Sequence, residues 1–234
     1  MAIDDLYTKS LLHMDGVDTS TTFTDESGKT WTARGTAQID TAQSVFGGAS
    51  GLFDGNSDWI DTPDHADWQL DGGADANLWT IDTRIRFNGD PSGTNNAVCG
   101  QYVDADNYWA FRFTSGDNLR FIIRSSASTI VSIDKAWNPA DATWYHLAIV
   151  KNGTTGYSYY VDGTEIGTPT TDTDPMPDFA AILTVGKETT AGAHYLNGWL
   201  DEFRISKGVA RWTTNFTPPV RAYGGGGGLM LFSS

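Results

Sequence analysis

A two-residue alternation of apolar and polar side chains, repeated in short runs, is the feature that most limits what this chain can become. A period of two puts neighbours on opposite faces of a strand, and helical spacing is nearly absent. In Leu78–Phe87, Ile81, Thr83, Ile85 and Phe87 face one way, and Asp82, Arg84 and Arg86 the other. The run 108–113 repeats this, with Trp109, Phe111 and Phe113 against Tyr108, Ala110 and Arg112. The run 119–124 sets Leu119, Phe121 and Ile123 against Arg120, Ile122 and Arg124. Further strands are expected over 144–151, 157–162, 182–187 and 196–206. Asp162-Gly163, between Tyr160-Val161 and Thr164-Glu165, predicts a type I′ hairpin. The nine Trp, nine Tyr and eleven Phe among 234 residues carry the same leaning toward strands.

Composition excludes several classes. Fifteen Lys and Arg against 29 Asp and Glu leave a net charge of −14, which disfavours nucleic acid and anionic membranes as partners. The single cysteine, Cys99, excludes an intrachain disulfide and a cysteine-based zinc cluster, and is expected in the core. No run approaches the roughly 18 apolar residues of a membrane helix, so no membrane insertion is expected. Met1-Ala2-Ile3-Asp4-Asp5 is followed by no apolar stretch, so the expectation is a chain without a signal peptide.

Several segments, in this order and spacing, resemble one family. They include Ser10-Leu11-Leu12-His13-Met14-Asp15-Gly16, Phe46-Gly47-Gly48-Ala49-Ser50-Gly51-Leu52-Phe53-Asp54-Gly55, and Trp144-Tyr145-His146-Leu147-Ala148-Ile149-Val150. They continue with Tyr160-Val161-Asp162-Gly163 and Leu196-Asn197-Gly198-Trp199-Leu200-Asp201-Glu202-Phe203-Arg204. The chain resembles laminin-G-like jelly-roll domains of the concanavalin A-like lectin/glucanase superfamily. Lys207-Gly208-Val209-Ala210-Arg211-Trp212 and Asn215-Phe216-Thr217-Pro218-Pro219 resemble the branch found in phage and environmental viral proteins. The resemblance implies an all-β, two-sheet antiparallel jelly-roll sandwich over 1–223, in which the first and last strands pair. A Gly-rich tail, 224–234, would follow.

The resemblance also implies a structural calcium at that pairing, and Asp15, Asp25 and Asp201 match the constellation. Calcium takes six to eight oxygens from carboxylates and carbonyls. The alternative is that Asp15 and Asp25 form turns and Asp201 makes a strand-edge hydrogen bond.

Charge is uneven along the chain. Residues 35–83 hold nine aspartates and no Lys or Arg, whereas 84–124 hold five arginines against four aspartates. Arg84, Arg86, Arg112, Arg120 and Arg124 all fall on the polar side of their strands. If those strands are neighbours, the arginines form a stripe on an open sheet face, where ligands bind in this fold family. With Tyr108, such a stripe suits an acidic polysaccharide, because guanidinium matches carboxylate or sulfate. The alternative is cross-strand pairing with aspartates such as Asp82 and Asp106. Trp59 and Trp68, among aspartates, His65 and Pro63, are candidates for stacking on sugar rings, or else for the core.

No Glu-x-Asp-x-x-Glu strand motif occurs, and the four glutamates (Glu26, Glu165, Glu188, Glu202) suggest no catalytic pair. The expectation is a non-catalytic recognition module on a virion surface or tail, made in the host cytoplasm and engaging host surface polysaccharide, anionic in one version. The alternative is a structural or decoration subunit of a viral particle. For that role the tail residues Leu229, Met230, Leu231 and Phe232, after five glycines, are candidates to dock other virion subunits or a second copy.

Overall fold

The computed structural model describes residues 5–72, 78–153, 156–172, 174–188 and 194–224. The tail residues Leu229, Met230, Leu231 and Phe232 lie outside the described residues. Among the described residues no helix is long and apolar enough to cross a membrane. Among the described residues every element in the order is a strand, as the alternation requires.

The first sheet runs β13 (Thr164–Glu165), β12 (Tyr157–Val161), β11 (Trp144–Asn152), β6 (Leu78–Phe87), β17 (Asn197–Lys207), β4 (Ser50–Asp54) and β3 (Gln38–Asp40). β1 (Thr8–Leu12) pairs with the other half of β17, so the first and last strands do meet. The second sheet runs β10 (Ser128–Ala136), β9 (Asn118–Ser125), β8 (Asn107–Thr114), β7 (Asn96–Asp104), β14 (Leu183–Val185), β5 (Trp59–Thr62) and β2 (Thr32–Arg34). A short hairpin, β15 (Lys187–Glu188) with β16 (His194–Tyr195), stands apart from both sheets.

The inward residues merge into one core. Ile81, Ile85, Leu147, Ile149, Leu200 and Phe203 of the first sheet meet Trp109, Phe111, Phe121, Ile123, Leu183 and Val185 of the second. Aromatic rings interlock across the layers, with Phe121 5.3 Å from Trp79 and Phe113 5.6 Å from Phe87. Cys99 is buried there, where loss of water pushes its thiol pKa up. The Asp162-Gly163 turn has positive φ at both residues, 48° and 74°, as a type I′ hairpin needs.

The strand expected over 182–187 is two elements. Gly186, at φ 84°, breaks it, and a Cβ there would fall 2.6 Å from the Phe53 ring. The chain therefore turns off the sheet, and Lys187 and Glu188 begin the separate hairpin.

β17 carries a bulge between Asp201 and Arg204, with Glu202 at φ 53°. The extra residue lets both Asp201, opposite Arg84, and Arg204, opposite Asp82, face outward from the first sheet. After β17 the chain folds back over that outer face. Trp212 stacks on Phe216 (4.1 Å, 6°), and with Ala210 they cover Ala148, Val150 and Tyr160. Beneath them Asp82 accepts hydrogen bonds from Arg204 Nε (3.0 Å) and from the Tyr223 hydroxyl, with His146 Nε2 at 3.5 Å. Burial alone would raise the Asp82 pKa; Arg204 and His146 overcome it and hold the carboxyl well below its ordinary value.

Candidate functional site

The outer face of the second sheet is built differently. Cross-strand register aligns Thr32, Asp61, Thr184, Gly100, Ala110 and Ile122 in one row across six strands. The middle of that row is small. Gly100 has room for nothing larger, since a Cβ would fall 2.5 Å from the Trp109 carbonyl oxygen. One step along the strands, Arg34 pairs with Trp59 on one flank, and Tyr102 pairs with Tyr108 on the other. The two tyrosine rings lie 5.9 Å apart.

Between these flanks runs a groove of about 390 Å³, lined by Arg34, Trp59, Asp61, Tyr102, Ile182, Thr184 and Lys187. That size lies in the range of roughly 300–1,000 Å³ usual for small-ligand sites. Its polar groups are held firmly. Asp61 accepts from Arg34 Nε (2.6 Å), Arg34 Nη2 (3.1 Å) and Trp59 Nε1 (3.1 Å). The Thr184 hydroxyl lies 3.0 Å from the Gly100 carbonyl oxygen and 2.7 Å from that of Lys187. Lys187 Nζ rests over the Trp59 ring at 3.6 Å, with Tyr195 at 5.3 Å. Among the described residues no carboxylate pairs with Lys187, so its charge is offset only by the two ring faces. Aromatic flanks with fixed donors and acceptors between them suit a rigid ring with a polar edge.

The structure brings some of the sequence-predicted residues together and separates others. Trp59 lines the groove, and Tyr108 stands beside its Tyr102 wall. The arginine stripe does not form. β6 belongs to the first sheet, and β8 and β9 to the second, so Arg84 and Arg86 lie on the opposite side of the sandwich from Arg112 and Arg124. Alternation gives the face within a strand but not which sheet receives it. Arg84 donates to the Pro219 carbonyl and lies over Phe46, and Arg86 lies over Trp199. Arg112 is buried against Glu188, Arg120 is paired with Asp134, and Arg124 is paired with Asp106. The cross-strand pairing alternative therefore holds for the last two. Trp68 is 1% exposed in the core, its Nε1 bonded to the Pro63 carbonyl, so it cannot stack on a ligand.

Arg34, Tyr102, Ile182, Thr184 and Lys187 were missed. The available signal was Tyr102 and Tyr108 flanking the Asp104-Ala105-Asp106 turn, which sets two rings side by side on one hairpin face.

The carboxylates expected to hold calcium fit in part. Asp25 does not join the others: its oxygens are taken by Ser10 Oγ (2.6 Å), Ser27 N and Oγ, Leu11 N and Trp31 Nε1 (2.9 Å). It is a buried tie between β1 and the following turn. Asp201 accepts from Val45 N (2.7 Å) and Phe46 N (3.1 Å) with one oxygen, while its buried Oδ1 has no partner. Burial pushes its pKa up to about 7 against those two hydrogen bonds, with Glu202 and Asp15 adding like charge. Asp15 is raised as well, by burial and by Glu202. Among the described residues no three His, Cys, Asp or Glu groups converge to hold a metal.

Residues 54–213, well over half of the chain, match the Laminin_G_3 family, described as the concanavalin A-like lectin/glucanases superfamily. The chain belongs to that family. This laminin-G domain is also similar to solved structures. One is the binding domain of Paraclostridial Mosquitocidal Protein 1 (TM-score 0.64, 16% identity, covering 86% of this chain and 49% of that one). Another is a structure of botulinum neurotoxin type C, which interacts with two ganglioside molecules (0.65, 16%, 89% and 49%). A third is Domain 4 of AbnA, an extracellular GH43 arabinanase from Geobacillus stearothermophilus, in complex with arabinotriose (0.60, 19%, 87% and 94%). The laminin-G domain spans about half the length of the toxin structures and nearly all of the arabinanase domain. No curated protein matches it in sequence.

Proposed function

We propose that this laminin-G domain is a non-catalytic carbohydrate-recognition module whose binding surface is the groove between Trp59 and Tyr102. The groove itself carries the reading: aromatic flanks, a small-residue floor beside it, and polar groups fixed by Asp61 and Thr184. Such a surface stacks on the apolar face of a sugar and hydrogen-bonds its hydroxyls. The arabinotriose-bound domain and the ganglioside-binding toxin support the ligand class.

Glycosidases place two carboxylates across the scissile bond. Among the described residues the one carboxylate lining this groove is Asp61, and Arg34 holds it. Glu188 is buried against Arg112, and Glu202 is tied to His13 (2.6 Å) and to Tyr223 N (2.8 Å). These observations support binding without cleavage.

The viral resemblance of 207–219 makes a virion surface or tail the proposed setting, with a host surface polysaccharide as partner. Calcium belongs to the proposal in a reduced form: Asp15 and Asp201 with loop carbonyls, without Asp25. The test is binding to neutral, uronic and sulfated polysaccharides by the intact chain and by Trp59→Ala. Binding that Trp59→Ala loses supports the reading. Binding that survives the substitution moves the site elsewhere, and silence across the panel favours a structural subunit of a particle.

A further inference from the structure

Trp59 of the groove described above packs against Tyr195, the two rings standing 6.1 Å apart. Tyr195 also lines a second groove, of about 380 Å³, among the loops at one end of the sandwich. Its lining includes Asp54, Asn88, Asp90, Asn95 and Asn197. The two grooves adjoin through this ring pair, Trp59 lining one and Tyr195 the other, but differ in charge. The sheet groove holds Arg34 and Lys187 with one carboxylate; the loop groove holds two carboxylates and no Lys or Arg.

Most polar groups of the loop groove serve to build it. Asp54 is spent on its own turn, accepting from Asn56 N (2.8 Å), Ser57 N (2.7 Å), Ser57 Oγ (2.9 Å) and Asp58 N (3.0 Å). Asn197 donates to the Asn88 carbonyl (2.9 Å), and its backbone N–H donates to Asn96 Oδ1 (3.0 Å), which locks three loops together. Two side chains keep capacity. Asp90 uses one oxygen on Ser92 N (2.9 Å), and among the described residues the other accepts nothing. Asn95 uses its oxygen on Ser115 N (3.1 Å), which leaves the amide N–H₂ to donate. Between them Gly89 has no atom within 4 Å of where a side chain would start, so a ligand can lie on the backbone there.

An acceptor and a donor on the one connection between β6 and β7 suit a pair of sugar hydroxyls, each able to give and take a hydrogen bond. An acidic sugar would meet two carboxylates, and His194 in the same lining already faces Glu188 (3.2 Å) and Arg112 (3.0 Å). In the sheet groove, by contrast, Lys187 has no carboxylate partner among the described residues and can take one from a ligand.

We propose that the loop groove is a second subsite for a neutral, hydroxyl-rich sugar, contiguous with the Trp59 groove, which takes an acidic unit. The preferred ligand is then a heteroglycan in which neutral and acidic units adjoin. This rests on the carbohydrate reading of the Trp59 groove.

The test is calorimetry with three oligosaccharides of equal length: hyaluronan, which alternates glucuronate with a neutral amino sugar, polygalacturonate and maltodextrin. The intact chain should bind the alternating probe at least about tenfold more tightly than either uniform probe, ~1.4 kcal/mol. Asp90→Asn with Asn95→Ala should cost about tenfold on the alternating probe and leave polygalacturonate unchanged. Lys187→Gln should remove the preference over maltodextrin. Melting temperatures of each variant control for folding. If the loop double variant changes nothing while Trp59→Ala abolishes binding, the second subsite is overturned and the sheet groove stands. Equal affinity for all three probes overturns the charge assignment. No binding to any of them overturns the carbohydrate reading and this inference with it.

Discussion

On the first sheet the outward residues Asp82, Arg204 and His146 lie under the chain's own 208–223 segment. On the second sheet the outward residues Asp61 and Thr184 lie in an open groove. Both rows leave the core by the same alternation, and both carry polar groups. What separates them is a cover. Under the cover, charges must be paired and hydrogen-bonded, so they act on stability. Without it, the same kind of group is available to a ligand. A polar strand face therefore says that a side chain avoids the core, and says nothing of what it meets outside.

The comparison is broken most directly at Asp82. Asp82→Ala leaves Arg204 as a buried charge without its carboxylate, and about 3–5 kcal/mol of stability should be lost in urea unfolding. Glycan binding at temperatures where the variant is folded should stay unchanged. A binding defect of that folded variant would mean the two faces are coupled.

Asp201 sharpens it next, through pH. Its folded pKa, raised to about 7 by burial, exceeds the unfolded value near 3.8. Between about pH 4 and about pH 7 the folded chain holds more protons than the unfolded one, so stability falls as pH rises through that window. Asp201→Asn removes the charged form and should gain on the order of 2–4 kcal/mol at about pH 8 and nothing at about pH 4. Calcium held by Asp15 and Asp201 would stabilise the intact chain at the upper pH, an effect EDTA reverses and Asp201→Asn lacks. No change with either reagent would remove calcium from the account.

Trp59→Ala acts on the other face. It should cost about 1 kcal/mol of stability, for one half-buried cross-strand neighbour, and weaken glycan binding by at least about tenfold. Arg120→Ala should do least. Its pair with Asp134 is exposed on both sides, and loss of under about 1 kcal/mol with unaltered binding is expected. A larger binding loss would extend the site toward β9.

The fold was legible because its signals are local. The period of two in Leu78–Phe87 and the Asp162-Gly163 turn depend on neighbours in sequence, and both stand where they were read. Of the proposed groove, only Trp59 and, beside it, Tyr108 were legible. Arg34, Asp61, Thr184 and Lys187 come together by strand pairing between residues far apart in sequence. The arginine stripe failed for the same reason: β6 went to one sheet, and β8 and β9 to the other. Trp68 failed because an indole flanked by polar residues reads alike whether it stacks on a ligand or on the core. The bulge at Glu202 left no mark in the pattern, yet it turns Arg204 toward Asp82.

β17 pairs with β1, β4 and β6, and among the described residues it is the last strand. On the ribosome, the first sheet lacks its central member until residue 207 has emerged. Until then the strands that will flank β17 present unpaired edges, with partners up to roughly the whole domain away in sequence. Pairings of that span are slow to close and leave edges exposed to other chains meanwhile. The domain is therefore expected to complete its fold only once residue 207 has emerged, with a yield that falls as the concentration of unfinished chains rises.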